Sequence, residues 1–231
     1  IHAVSPVLGE RSAPAGQRIG REESAIPARL PIATRESIGS FIERAPYLCG
    51  TRRARGALRH VVERSRSPME SAVALLLSLP ARYGGFALPK PVLNCRVRLP
   101  LWLHEGALTS RFGQNDPFAE CDLAFFCGER VVLVDYHGES YHSAEPSIHH
   151  DALKLNAYGD LRLPYFALTK RQVFDFVLLE KTAEQIRSSL GMRFRTEVRD
   201  YRMRRRSLHQ KLLGAVRRGA FAALDADRSR R

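Results

Sequence analysis

Two carboxylates and an imidazole stand where a short hairpin would bring them together. Asp122 opens the apolar run at 123–126, Asp135 closes the run at 131–134, and His137 follows two residues later. The four residues between the runs, Cys127-Gly128-Glu129-Arg130, suit a tight turn. In an antiparallel pair joined this closely, the start of one strand lies beside the end of the next, so both acids come to one end of a sheet. Alternation puts Asp135 and His137 on one face and Tyr136 on the other. Acids so placed suit phosphodiester hydrolysis. Mg²⁺ (or Mn²⁺) takes oxygen ligands and keeps several waters, so two or three carboxylates hold it; it then neutralises the scissile phosphate and acidifies an attacking water. The plainer alternative is a pair of solvated strand-end acids.

The elements that must position these residues are legible on both sides. Upstream, Ser67-Pro68-Met69-Glu70 marks a helix start, with Ser at the N-cap, Pro at the first helical position and Glu three residues after the cap. The helix should run to about residue 79 and stop at Pro80. Glu70 is therefore either a third acid for the site or a capping-box carboxylate folded back on the cap. A strand is expected at 91–97, and a long loop or ragged hairpin around Trp102 at 99–118. Downstream, a helix from Ser147 to about Asp160 should place Ile148, Ala152, Leu155 and Tyr158 on one face and His150, Asp151 and Lys154 on another. A strand at 165–168, a helix at 171–179 and a second capping box at Thr182-Ala183-Glu184-Gln185 follow. The order helix, three strands, helix, strand makes an α/β sandwich around a mixed sheet.

A last helix is expected from 193 to 221. It would turn Phe194, Val198, Tyr201, Leu208, Leu212 and Val216 inward and show Arg195, Arg199, Arg202, Arg204, Arg205, Arg206 and Lys211 outward. Acids are sparse among these cations, which suits phosphate contact better than a merely solvated face. The whole chain agrees: its net charge is +13, and its pI near 10.2 favours polyanions, nucleic acid first. No apolar run approaches the length of a bilayer span, so no membrane partner is expected. The four cysteines contain no CxxC pair and suit buried free thiols in a reducing, cytoplasmic compartment; a zinc site is not supported by their spacing. Residues 1–50 read as a poorly ordered or remnant segment, 51–180 as the domain that carries the chemistry, and 181–231 as a basic helical extension.

The segments SPMESAVALLL, GGFALPKPVLN, CDLAFF, VVLVDYHGESYH, HHDALKLNAYG and YFALTKRQV, in that order over residues 60–178, resemble the restriction-endonuclease-like superfamily. The signature of that superfamily is Asp, a spacer, Asp or Glu, one residue, then Lys. The chain is most similar to the branch of the very-short-patch mismatch-repair endonucleases. The resemblance implies a three-layer core with a mixed four- or five-stranded sheet, divalent-metal-dependent cleavage of DNA, and Glu70, Asp122, Asp135 and His142 as site residues, with Asp151 and Lys154 on the next helix. Two positions depart from it: Asp135 is a methylene shorter than the usual Glu, and His137 stands where the superfamily has Lys and this branch more often Asp.

Together these readings predict a DNA endonuclease in which Asp122 and Asp135 bind the metal and Glu70 assists. His137 or His142 acts as base or water positioner, and Lys154 supplies the cation that His137 cannot. One site per chain would need a homodimer, or two successive nicks, to break both strands. The alternatives are a nuclease fold that binds nucleic acid without cutting it, and a regulatory protein whose basic helix engages an acidic partner.

Overall fold

The computed structural model describes residues 33–98, 118–138 and 145–228. The elements are α1 (Arg35–Arg44), α2 (Thr51–Leu58), α3 (Pro68–Ser78), a 3-10 turn (Ala81–Tyr83), β1 (Val92–Arg98), β2 (Phe118–Cys127), β3 (Arg130–His137), α4 (Glu145–Asp160), β4 (Tyr165–Thr169), α5 (Lys170–Phe174), α6 (Phe176–Ser189) and α7 (Tyr201–Arg228). Among the described residues four strands form one open sheet in the order β1-β2-β3-β4. β1, β2 and β3 make an antiparallel meander, and β4 pairs parallel to β3 after the crossover through α4. This mixed α/β arrangement is the one the element order predicts.

α3 anchors one face of the sheet. Its start is as expected: Ser67 caps it by accepting the Glu70 N–H at 3.1 Å, with Pro68 in the first turn. Ala72, Val73, Ala74, Leu76 and Leu77 are buried against Leu93, Leu123, Phe125, Val132 and Val134. Each fully buried Leu or Val contributes roughly 1.5–3 kcal/mol. α6 and α7 complete this layer through Leu179, Ala183, Ile186 and Leu213, with Leu208, Leu212 and Val216 half-buried beside them. The C-terminal helix is thus a wall of the main core and not an appended tail. α4 covers the opposite face, where Ala157 and Tyr158 pack on Cys95, Val97, Cys121, Ala124 and Leu133.

Four local expectations are corrected. α7 starts at Tyr201, so Arg195 and Arg199 precede it in exposed non-helical chain. Thr182 lies inside α6, its hydroxyl donating to the Leu178 carbonyl, and the helix is capped by Asp175 instead. On α4, Leu155 is exposed while Lys154 turns inward on the same side as Tyr158, the reverse of the predicted faces. Arg205 is buried, as described below. The expected loop at 99–118 lies almost wholly outside the described residues, as does His142; Asp151 lies on α4, but its side chain is not described.

Candidate active site

The site arises where the sheet comes apart. β2 and β3 are paired from Cys127↔Arg130 as far as Leu123↔Val134; beyond that point β2 pairs only with β1, and β3 only with β4. The backbone amides at the fork need other acceptors, and the two aspartates supply them. Asp135 Oδ1 accepts the Asp122 N–H at 2.8 Å, and Asp122 Oδ2 accepts the Tyr136 N–H at 2.7 Å. The acids meet as the hairpin predicts, but Asp122 lies within β2 and not at its start, because the strand continues back to Phe118.

A twist in β1 prepares this fork. Asn94 lies across from Asp122 with φ at +48°, in the left-handed region that asparagine tolerates better than most residues. Residues two apart on a strand normally share a face. Here Leu93 and Leu123 pack on the α3 side while Cys95 and Cys121 pack on the α4 side. The alternation is broken at Asn94 in one strand and at Asp122 in the other. The Asn94 amide donates to the Arg64 carbonyl at 2.6 Å and to Glu70 Oε2 at 3.2 Å, which ties the twist to the start of α3. Glu70 does not close a capping box: its Oε2 accepts the Arg66 N–H at 2.8 Å and not the amide of Ser67. The carboxylate is buried and aimed at the fork.

Two cations meet four carboxylates. Lys154 reaches in from α4 to Asp135 Oδ2 and to the Glu120 carbonyl, both at 2.5 Å. Burial alone would lower the pKa of this ammonium, but the Asp135 charge and hydrogen bond outweigh it and raise it. Arg66 pairs with Glu120 at 2.6 Å. Asp122 and Glu70 have no ion pair among the described residues. The consequence falls on Asp122: burial first, then the neighbouring Asp135 charge, push its pKa up to about 6 against the opposing Tyr136 N–H. Tyr165, on β4, closes the cluster. Its hydroxyl donates to Asp135 Oδ2 at 3.1 Å and lies 3.5 Å from His137 Nε2, so Asp135 and His137 share a face as alternation requires.

The donor types suit a hard cation: Asp122 keeps Oδ1 and Glu70 keeps Oε1 clear of hydrogen bonds among the described residues, and the surplus charge is negative. Asp135 suits it less, since Asp122, Lys154 and Tyr165 occupy both its oxygens. No group of three or more His, Cys, Asp or Glu side chains among the described residues is arranged to hold a metal.

Sequence reasoning missed Tyr165, Glu120, Asn94 and Arg66. A polar Asn within the apolar run Val92–Cys95 was the one available signal; the others are brought in by tertiary packing. Of the predicted basic residues, Arg202, Arg204, Arg206 and Lys211 are exposed on α7, and Arg195 and Arg199 precede it. Arg205 is only 3% exposed: its guanidinium pairs with Glu180 at 3.0 Å and lies 4.6–4.9 Å from the ring centroids of Phe86, Phe194 and Tyr201. It holds α7 to the core and takes no part in a surface. Among the described residues no helix is long and apolar enough to cross a membrane. No protein family, curated protein or solved structure matches the chain.

Proposed function

We propose that the chain is a divalent-metal-dependent endonuclease of the restriction-endonuclease-like type, acting on DNA. One observation carries this reading: a half-buried and a buried carboxylate, Asp122 and Glu70, flank a strand fork without an ion pair among the described residues, and burial and then the Asp135 charge push the Asp122 pKa up to about 6. Perturbed acids of this kind gather at functional sites. The order α3-β1-β2-β3-α4-β4 around a sheet β1-β2-β3-β4 supports it too, since that order fits the resemblance. In this reading Asp122 and Glu70 would hold Mg²⁺ or Mn²⁺. Once bound, the ion supplies charge neutralisation at the phosphate and a more acidic water. Lys154 fixes Asp135 from α4, taking the place of the motif lysine absent from β3. Tyr165 holds His137 beside Asp135, where the imidazole accepts or positions a water proton.

A specific observation favours a second reading, a nucleic-acid-binding module that no longer cuts. The second motif acid, Asp135, has both oxygens engaged, and the metal-ligand count among the described residues stops short of three. Supercoiled plasmid with Mg²⁺ or Mn²⁺ separates the two. The nuclease predicts metal-dependent nicking that falls at least about a hundredfold in Asp122→Asn, the order expected for loss of a principal charge-stabilising group. Salt-sensitive binding without nicking in either metal would leave the second reading standing.

A further inference from the structure

A second basic surface lies at the far end of α3 from Glu70, and its parts come from three stretches of chain. The 3-10 turn following α3 carries Arg82 and Tyr83, both exposed; Arg204 comes from the first turn of α7, and Lys90 from the chain leading into β1. Arg82, Tyr83 and Arg204 are fixed in place. The Arg82 guanidinium lies 4.8 Å from the centroid of the Tyr83 ring, whose other neighbour is the His60 ring, edge-on at 5.3 Å. Arg204 donates to the Arg82 carbonyl at 3.3 Å. Gly84 makes that junction close. With φ at +90° it lies so near the Arg204 backbone that a Cβ there would overlap the Arg204 carbonyl, so no other residue lets α7 seat on the turn this way.

We infer that Arg82, Arg204 and Lys90 form a preorganised contact surface for the phosphate backbone of a nucleic-acid duplex, separate from the acid fork. The inference rests on the nucleic-acid partner of the proposed function, but not on cleavage. Three facts favour a polyanion. Cations outnumber acids among the described residues: Glu63 is the one carboxylate among them that acts on these groups, and it also accepts the Arg35 N–H. The local potential is positive, because burial and then Arg59, Arg82 and Lys90 lower the pKa of His60, while the Arg82 hydrogen bond and charge lower that of Tyr83. The guanidinium of Arg82 is already held by a ring, so less side-chain freedom is lost when it binds. A duplex is chosen over an acidic protein or a lipid surface because the chain carries +13 overall and the cations are spaced along the protein. α3 has eleven residues, a length of about 16 Å at 1.5 Å per residue. At a rise of about 3.4 Å per base pair, a duplex touching both ends of α3 spans roughly five base pairs.

The test is fluorescence anisotropy of a labelled 20-base-pair DNA duplex, in EDTA so that nothing is cut, between about 50 and 200 mM salt. Wild type should bind with a steep salt dependence. Arg82→Ala and Arg204→Ala should each reduce the slope of log K against log salt by about 0.9, and Arg82→Lys should keep it. The triple Arg82→Ala, Arg204→Ala, Lys90→Ala should weaken binding about tenfold or more. Should the triple fail to fold, the single variants with wild-type melting curves give the same answer. Unchanged affinity and slope in these variants overturns the inference, as does wild-type binding to anionic vesicles or to a polyglutamate peptide in place of the duplex. Because cleavage is not read, an inactive acid fork leaves this result intact; unchanged binding in the variants with wild type still on the duplex overturns this surface alone, whereas loss of duplex binding in wild type overturns the DNA partner of the fork's reading as well.

Discussion

The acid fork and the Arg205 cluster pose the same electrostatic problem and resolve it differently. Both bury more charge of one sign than of the other. Around Arg205 the surplus is positive: Arg187 and Arg205 are both buried, and burial and then Arg205 lower the pKa of Arg187. There the protein supplies compensation of its own, although Arg205 Nε and Nη2 find no hydrogen-bond partner among the described residues. Aromatic faces lie 4.6–4.9 Å from both guanidiniums, Glu180 pairs with Arg205, and the Arg187 guanidinium donates to the Phe86 carbonyl. At the fork the surplus is negative: Lys154 pairs with Asp135 and its charge only partly offsets the rise at Asp122, while neither Asp122 nor Glu70 has an ion pair among the described residues. Balanced burial of charge holds a fold together; unbalanced burial leaves a place for something from outside.

The comparison is broken first by removing one partner from each region. Asp135→Ala removes the ion pair of the largely buried Lys154 and leaves the Glu120 carbonyl as its hydrogen-bond acceptor among the described residues, which should cost about 3–5 kcal/mol in urea unfolding. Restoring most of that loss with Asp135→Ala, Lys154→Met would place the cost on the orphaned ammonium; no recovery would mean that the acid itself holds the fork. For this reason Asp135→Ala is a poor probe of catalysis and Asp122→Asn a better one. Arg205→Ala should cost less, about 2–4 kcal/mol, from the cavity and the unpaired Glu180. Arg205→Met, which keeps the volume against three rings, should recover more than half. If Arg205→Ala instead weakens duplex binding with unchanged stability, the buried assignment is wrong.

What could be read in the sequence follows from how local each feature is. The hairpin, the Ser67 cap and the strand expected at 165–168 depend on neighbours in sequence; the first two formed as predicted, and the strand runs one residue further, to Thr169. The meeting of Asp122 with Asp135 was legible for the same reason. Lys154 was expected as a substitute cation but on the outer face of α4, because the periodicity pointed the wrong way: Leu155 read as core, yet the buried Asp135 at the fork draws the lysine inward instead. Arg205 was misread because charge counts as surface in any pattern argument, and only the rings of Phe86, Phe194 and Tyr201, brought together by the fold, make a buried guanidinium tolerable. Glu70 was left open between site acid and cap because its spacing is that of a cap; the amide of Asn94, from a strand 24 residues away, draws it off the cap.

The smallest effect sharpens the comparison most, because its sign is opposite to the others. A carboxyl whose folded pKa is raised binds its proton more tightly folded than unfolded. Its contribution is present below the unfolded value, near 3.8, and is lost as pH rises through the folded value of about 6. Above pH 6, then, the ionised Asp122 strains the fork, and Asp122→Asn should stabilise the protein by about 2 kcal/mol at pH 7.5. Asparagine can still accept the Tyr136 N–H, so the fork itself should survive. At pH 4 the gain should vanish, and the pH dependence of urea unfolding between 4 and 6 should flatten in the variant. Added Mg²⁺ in the absence of DNA supplies the last discrimination. A cation that binds the folded state stabilises it in proportion to log concentration, so the nuclease reading predicts a rise in wild-type Tm at pH 7.5 that is absent from Asp122→Asn. No rise in wild type, with the asparagine still stabilising, would mean that the surplus charge is a relic that the fold tolerates and no longer uses.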